Sequence, residues 1–85
     1  MLIRSQDKKQ LLNLDTISNI EVFGGATAHK IKSINSNGFL DYIAEYSTEA
    51  KAIKVLDMIQ GAYARFCAGN TYSDSVFQMP QESEV

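Results

Sequence analysis

The 85-residue chain predicts an α+β domain, and three observations carry that prediction. Leu40, Tyr42, Ala44 and Tyr46 alternate with Asp41, Ile43 and Glu45 at the two-residue period of a half-buried strand. Ala52, Val55, Leu56, Ile59, Ala62, Tyr63 and Phe66 recur at steps of three and four, which places them on one helix face. Gly24 with Gly25, and Asn37 with Gly38, supply the backbone freedom that tight chain reversals require. The expected architecture is a curved antiparallel sheet of four or five strands, with one amphipathic helix packed on one face and a short C-terminal strand. Residues 1–80 form the single domain and residues 81–85 a disordered tail.

Taken in order, Leu2 and Ile3, then Leu11, Leu12 and Leu14, flank a polar run and read as two short strands joined by a turn at Asp7, Lys8 and Lys9. Residues 15–19 bring Asp, Ser and Asn side chains that bond their own backbone and favour a turn. Ile20, Glu21, Val22 and Phe23 resume an extended pattern, which reverses at Gly24 and Gly25 into residues 29–34, where Lys30 and Lys32 share one strand face. The Asn37-Gly38 pair suits the two positive-φ positions of a type I′ turn leading into the alternating strand. At Ser47 or Thr48 the period changes, because either hydroxyl caps a first helical turn that Glu49 suits electrostatically. Gly69 with Asn70 marks the helix end, residues 71–75 are a polar link, and residues 76–80 are an apolar strand or strap closed by the only proline.

Composition excludes several classes of function. With 45% hydrophobic and 21% charged residues the chain is ordinary for a globular domain. Eight Lys plus Arg against ten Asp plus Glu leave no global field to steer nucleic acid or anionic lipid, so any such binding needs a local patch. The single cysteine, Cys67, rules out an internal disulfide, and a cytoplasmic location is expected. The first residues lack the apolar core of a signal peptide, and no window approaches a membrane span.

Side chains able to do chemistry are sparse. His29 is the only histidine, with no metal-ligand pattern around it, and reads as a half-exposed strand residue. Cys67, at the negative end of the helix, reads as a small hydrophobe. Asp41 and Glu45 are expected on one strand face as solvated carboxylates. The Gly24-Gly25 pair is followed by neither a helix start nor a Lys-Ser/Thr motif, so it reads as a turn. No catalytic residue, metal site or cofactor is expected, and the chain is read as a non-enzyme. Two surfaces remain. One helix covers one side of the sheet, which leaves Phe39 and Ile43 as the expected partner face, with Val22 or Ile20 there or along an edge. A homodimer is the usual solution to such exposure. Alternatively, Lys8, Lys9, Lys30 and Lys32, with Arg4, converge into a basic patch beside Phe23 or Tyr42, as in binders of nucleotides or single-stranded nucleic acid.

The wording of MLIRSQDKKQLLNLD, EYSTEAKAIKVLDMIQ and VFQMP resembles a family of small, uncharacterised proteins from Gram-positive bacteria and their phages or mobile elements. The resemblance spans most of the chain and implies a cytoplasmic bacterial or phage setting, with no catalytic motif to carry over. The function expected is a protein-interaction or regulatory module.

Overall fold

The computed structural model describes residues 1–25, 27–69 and 75–85. Its order is β1 (Leu2–Arg4), β2 (Leu11–Asn13), β3 (Ile17–Gly24), β4 (His29–Asn35), β5 (Leu40–Tyr46), α1 (Glu49–Cys67) and β6 (Val76–Gln78). The fold is α+β, but its strands divide into two three-stranded sheets, ordered β2-β1-β6 and β3-β4-β5, rather than one sheet of four or five. The division has a local cause. After β1 the chain turns back through residues 5–10, and among the described residues only the Gln6 backbone N–H reaches β5, donating to the Ile43 carbonyl at 2.9 Å. One backbone bond joins the sheets where a ladder would have merged them.

The β1–β2 reversal falls at Asp7, Lys8 and Lys9 as expected, whereas the β4–β5 reversal departs from the expected turn. Between β4 and β5 only Gly38 has positive φ, so the loop is not the type I′ turn expected of Asn37-Gly38. Asn35 accounts for the difference. Its Oδ1 accepts from the N–H groups of Asn37 and Phe39, both at 3.0 Å, and its own N–H donates to the Phe39 carbonyl, which makes a longer loop with glycine at its left-handed position. In the turn at residues 5–10, Lys8 adopts φ 67°. That turn is held by Asp7, which accepts from the Ser5 hydroxyl at 2.6 Å and the Lys9 N–H at 2.9 Å.

The helix follows its sequence signals. Thr48 accepts from the Lys51 N–H at 3.2 Å, and Gly69 ends the helix with φ 95°. Ala52, Val55, Ile59 and Ala62 are buried against β3, β4 and β5. Leu56 and Phe66 are half-buried, whereas Tyr63 is 42% exposed and Cys67, expected to behave as a small hydrophobe, is exposed. Asn70 and residues 71–74 of the polar link lie outside the described residues.

β5 holds the main surprise. Ile31 pairs with Ala44 but Lys32 pairs with Tyr42, so Ile43 is an extra residue in a β-bulge. The bulge inverts the alternation. Leu40 and Tyr42 point away from the helix, while Ile43, Ala44 and Tyr46 are all buried. Ile43 is therefore core, at 2% exposure, and not part of a partner face; Phe39, at 69%, is exposed in the loop that joins β4 to β5. The same inversion separates Asp41, opposite buried Ser33, from Glu45, opposite Lys30, so the two carboxylates do not share a face.

Residues 81–85, expected to be disordered, are instead anchored. β6 runs parallel to β1, Met79 is fully buried, and a 3-10 turn at Glu82–Glu84 follows. The sequence suggests a free tail because these residues are polar, but their polar groups find partners on the strand-to-helix corner, and Val85 packs on the core.

Truncating Ile43 to alanine should lower unfolding free energy by about 2 to 5 kcal/mol in urea titration, whereas Phe39→Ala should stay within about 0.5 kcal/mol of the parent. On the helix, Ile59→Ala should cost more than Leu56→Ala by the same measurement. Lys8→Gly, which relieves a left-handed backbone, should stabilise by up to about 1 kcal/mol.

Candidate functional site

The side of β3-β4-β5 away from the helix is the candidate site. Residues directly opposite across antiparallel strands share a face, so the register sets Phe23, Lys30 and Glu45 in one row and Glu21, Lys32 and Tyr42 in the next. Asn19, Ile34 and Leu40 form a third row toward the hairpin end. Phe23 is 50% exposed, Tyr42 52% and Leu40 44%. The two lysines lie diagonally over the rings. Lys30 Nζ is 4.9 Å from the Tyr42 centroid and Lys32 Nζ is 5.0 Å from that of Phe23, both within cation–π range. Lys32 also pairs with Glu21 at 3.0 Å, and Glu45 stands across from Lys30, so the face carries both signs of charge in balance.

Gln6 and Asp7, together with Lys30, Tyr42, Ile43, Ala44 and Glu45, line a shallow open groove of about 240 Å³ on the β5 side of this face. At its floor the Gln6 amide grips the strand: Oε1 accepts from the Glu45 N–H at 2.9 Å and Nε2 donates to the Glu45 carbonyl at 3.1 Å. The basic patch divides. Lys8 Nζ reaches Gln78 Oε1 on β6 at 3.2 Å and Lys9 is exposed in the turn, while Lys30 and Lys32 lie over the aromatic rings.

His29 lies on β4 opposite Gly24 and Tyr46, and its buried Nδ1 has no hydrogen-bond partner among the described residues. A Cβ on Gly24 would meet that nitrogen at 3.0 Å, so glycine leaves room for the imidazole. No group of three His, Cys, Asp or Glu side chains is placed to hold a metal among the described residues. No helix is long and apolar enough to cross a membrane, again among the described residues.

A second cluster, missed by sequence reasoning, fastens the C-terminal segment to the start of the helix. Glu82 accepts from the Ser47 N–H at 3.1 Å, from the Ser47 hydroxyl, and from Lys51 Nζ at 3.3 Å. These bonds, the Ser47 hydroxyl foremost, hold its carboxyl below the usual carboxylate range. Tyr46 donates to the Pro80 carbonyl at 2.7 Å, and burial, with Glu82 and Glu84 nearby, pushes its phenol up to about 12. The separation of Ser47 from Glu82 in sequence left no short-range signal for this contact.

No family model, curated protein or solved structure matches this chain.

The latch sets a pH window for stability. Glu82 has a lowered folded pKa, so its contribution is complete above the ordinary value of 4.5 and fades as pH falls through the folded value. Tyr46 has a raised one, so its contribution is complete below 10 and fades as pH rises toward about 12. Thermal melts should weaken at both limits, Glu82→Gln should flatten the acid limb, and Tyr46→Phe should flatten the alkaline limb at a cost of about 1 kcal/mol at neutral pH.

Proposed function

We propose that this chain is a non-enzymatic protein-interaction module whose docking face is the outer side of β3-β4-β5. One observation carries the reading: Phe23, Leu40 and Tyr42 stand exposed on a single sheet face, with Phe39 at its end. Clustered exposed apolar groups are costly to leave in water, and aromatic residues are enriched where proteins meet. The partner expected is a protein surface offering apolar side chains to these rings and both charge signs to Glu21, Lys30, Lys32 and Glu45. A regulatory role in a bacterial or phage setting rests on the sequence resemblance alone.

The lysine-over-ring pairs favour a second reading, a platform on which single-stranded nucleic acid or a nucleotide stacks. The charge balance weighs against it. Glu21 neutralises Lys32, Glu45 opposes Lys30, and Lys8 is drawn to β6, so among the described residues no continuous cationic track supports a phosphate backbone.

The two readings separate by experiment. With Phe23→Ser and Tyr42→Ser combined, circular dichroism should be unchanged while capture of a partner from the source cells falls by about tenfold or more. In the wild-type complex, amine-reactive footprinting should find Lys30 and Lys32 shielded. Capture by the double variant at the parent level would overturn the proposal. Retention of a single-stranded oligonucleotide that weakens with salt and is lost on replacing Lys30 and Lys32 by Glu would select the second reading.

A further inference from the structure

β3 is the only strand longer than three residues whose outer edge lacks a backbone partner among the described residues. β5 is closed by Gln6, while the edge strands β2 and β6 are three residues each. The outward groups of β3 can be identified. Gly25 N–H donates to the Ala28 carbonyl at 2.8 Å, so this pair is hydrogen-bonded and alternation makes Phe23–Lys30 and Glu21–Lys32 hydrogen-bonded pairs too. Gly24, Val22 and Ile20 therefore turn their N–H and C=O groups away from β4. Uncovered edges of this length are usually defended by lysine or proline, and β3 contains neither. Its register shift between Ile17 and Asn19 interrupts only the start of the strand.

We propose that β3 is the seam of a two-fold homodimer in which two copies pair antiparallel through Ile20, Val22 and Gly24, joining two three-stranded sheets into one of six strands. A register centred on Val22 uses all three outward residues: Val22 faces Val22 of the second copy, and Ile20 faces its Gly24. Glu21 then lies opposite Phe23 of the second copy, whereas a register centred on Glu21 would oppose two carboxylates.

A second copy suits this edge better than a foreign charged strand. The only charge on β3 is Glu21, already paired with Lys32 at 3.0 Å, so electrostatics offers an outside strand little. Ile20 and Val22 are half-buried on the helix side, and along the seam Val22 of the second copy becomes an apolar neighbour of both, directly opposite Val22 and diagonal to Ile20. Area gives a further reason. Three strands about 4.8 Å apart and about 20 Å long present a flat face of roughly 300 Å², well short of the ~800 Å² per partner of a stable interface. Pairing at β3 doubles that face, so this inference rests on the interaction reading for its purpose, though the dimer is tested without any partner.

Sedimentation equilibrium on the full chain, from about 1 µM to about 500 µM, should carry the mean mass from 9.4 kDa toward twice that value. Over the same range, amide exchange at Ile20, Val22 and Gly24 should slow by about tenfold, while Glu21 and Phe23, already bonded to β4, should not change. Val22→Pro removes a donor aimed out of the sheet and should leave a monomer. The wild-type exchange data decide the matter even if that variant fails to fold. A constant mass of 9.4 kDa, or association that leaves those three amides unprotected, overturns the dimer. The two proposals fail separately: a monomer that loses capture through Phe23 and Tyr42 retains the docking face without the seam, and a dimer whose capture ignores those residues retains the seam without the docking face.

Discussion

The side-chain amide of Gln6 holds β5 at the point where the bulge at Ile43 breaks its alternation, and both sheets depend on that grip. A bulge leaves one residue unpaired and bends its strand, which in an edge strand would expose polar backbone groups. Here the Gln6 N–H takes the Ile43 carbonyl, and the Gln6 amide takes both polar groups of Glu45. The strand behaves as though it had another neighbour, yet the neighbour is one residue, Gln6, through its backbone N–H and its side-chain amide. The bulge consequently carries Ile43 into the core and turns Tyr42 out beside Lys30, so the candidate face and the hydrophobic core arise from the same irregularity.

Gln6 also binds the C-terminal segment to this join. Its carbonyl accepts from Gln81 Nε2 at 2.7 Å, and its Nε2 lies 3.3 Å from the Pro80 carbonyl that Tyr46 also engages at 2.7 Å. Together with Glu82 on Ser47 and Lys51, these bonds hold the segment against the strand-to-helix corner. Met79 of this segment is fully buried in the same core cluster as Ile3 and Tyr46, and Val85 packs against that cluster, so the segment completes the core beside a short first sheet.

Much of this was legible in the residues, and the rest failed for identifiable reasons. The helix could be read because Thr48, the stripe from Ala52 onward and Gly69 agree at every level of local chemistry. The three-stranded meander was legible from Gly24-Gly25 and Asn37-Gly38, although Asn35 set the second loop. The face of each β5 residue was not legible, because a bulge depends on a partner strand and on Gln6, far away in sequence, while the alternation of Leu40, Tyr42, Ala44 and Tyr46 looks unbroken in the sequence. Lys30, Lys32, Phe23 and Tyr42 were recognisable as neighbours from strand pairing alone. Glu21 and Glu45 in their roles as neutralising charges required the register, and the C-terminal contacts required the whole fold.

The parallel pairing of β1 with β6 bears on the order in which the chain can assemble. Contacts among β3, β4, β5 and α1 join segments that follow one another closely, so their loop-closure cost is small. Leu2, by contrast, waits for Val76. During synthesis the meander and helix can form while β1 and β2 still lack their third strand, and the arrival of Met79 and Glu82 then turns a partly covered core into a sealed one. Strand β6 and the residues that follow it can thus supply the closing step of folding, although the polar sequence of residues 81–84 gives them the look of an appendage.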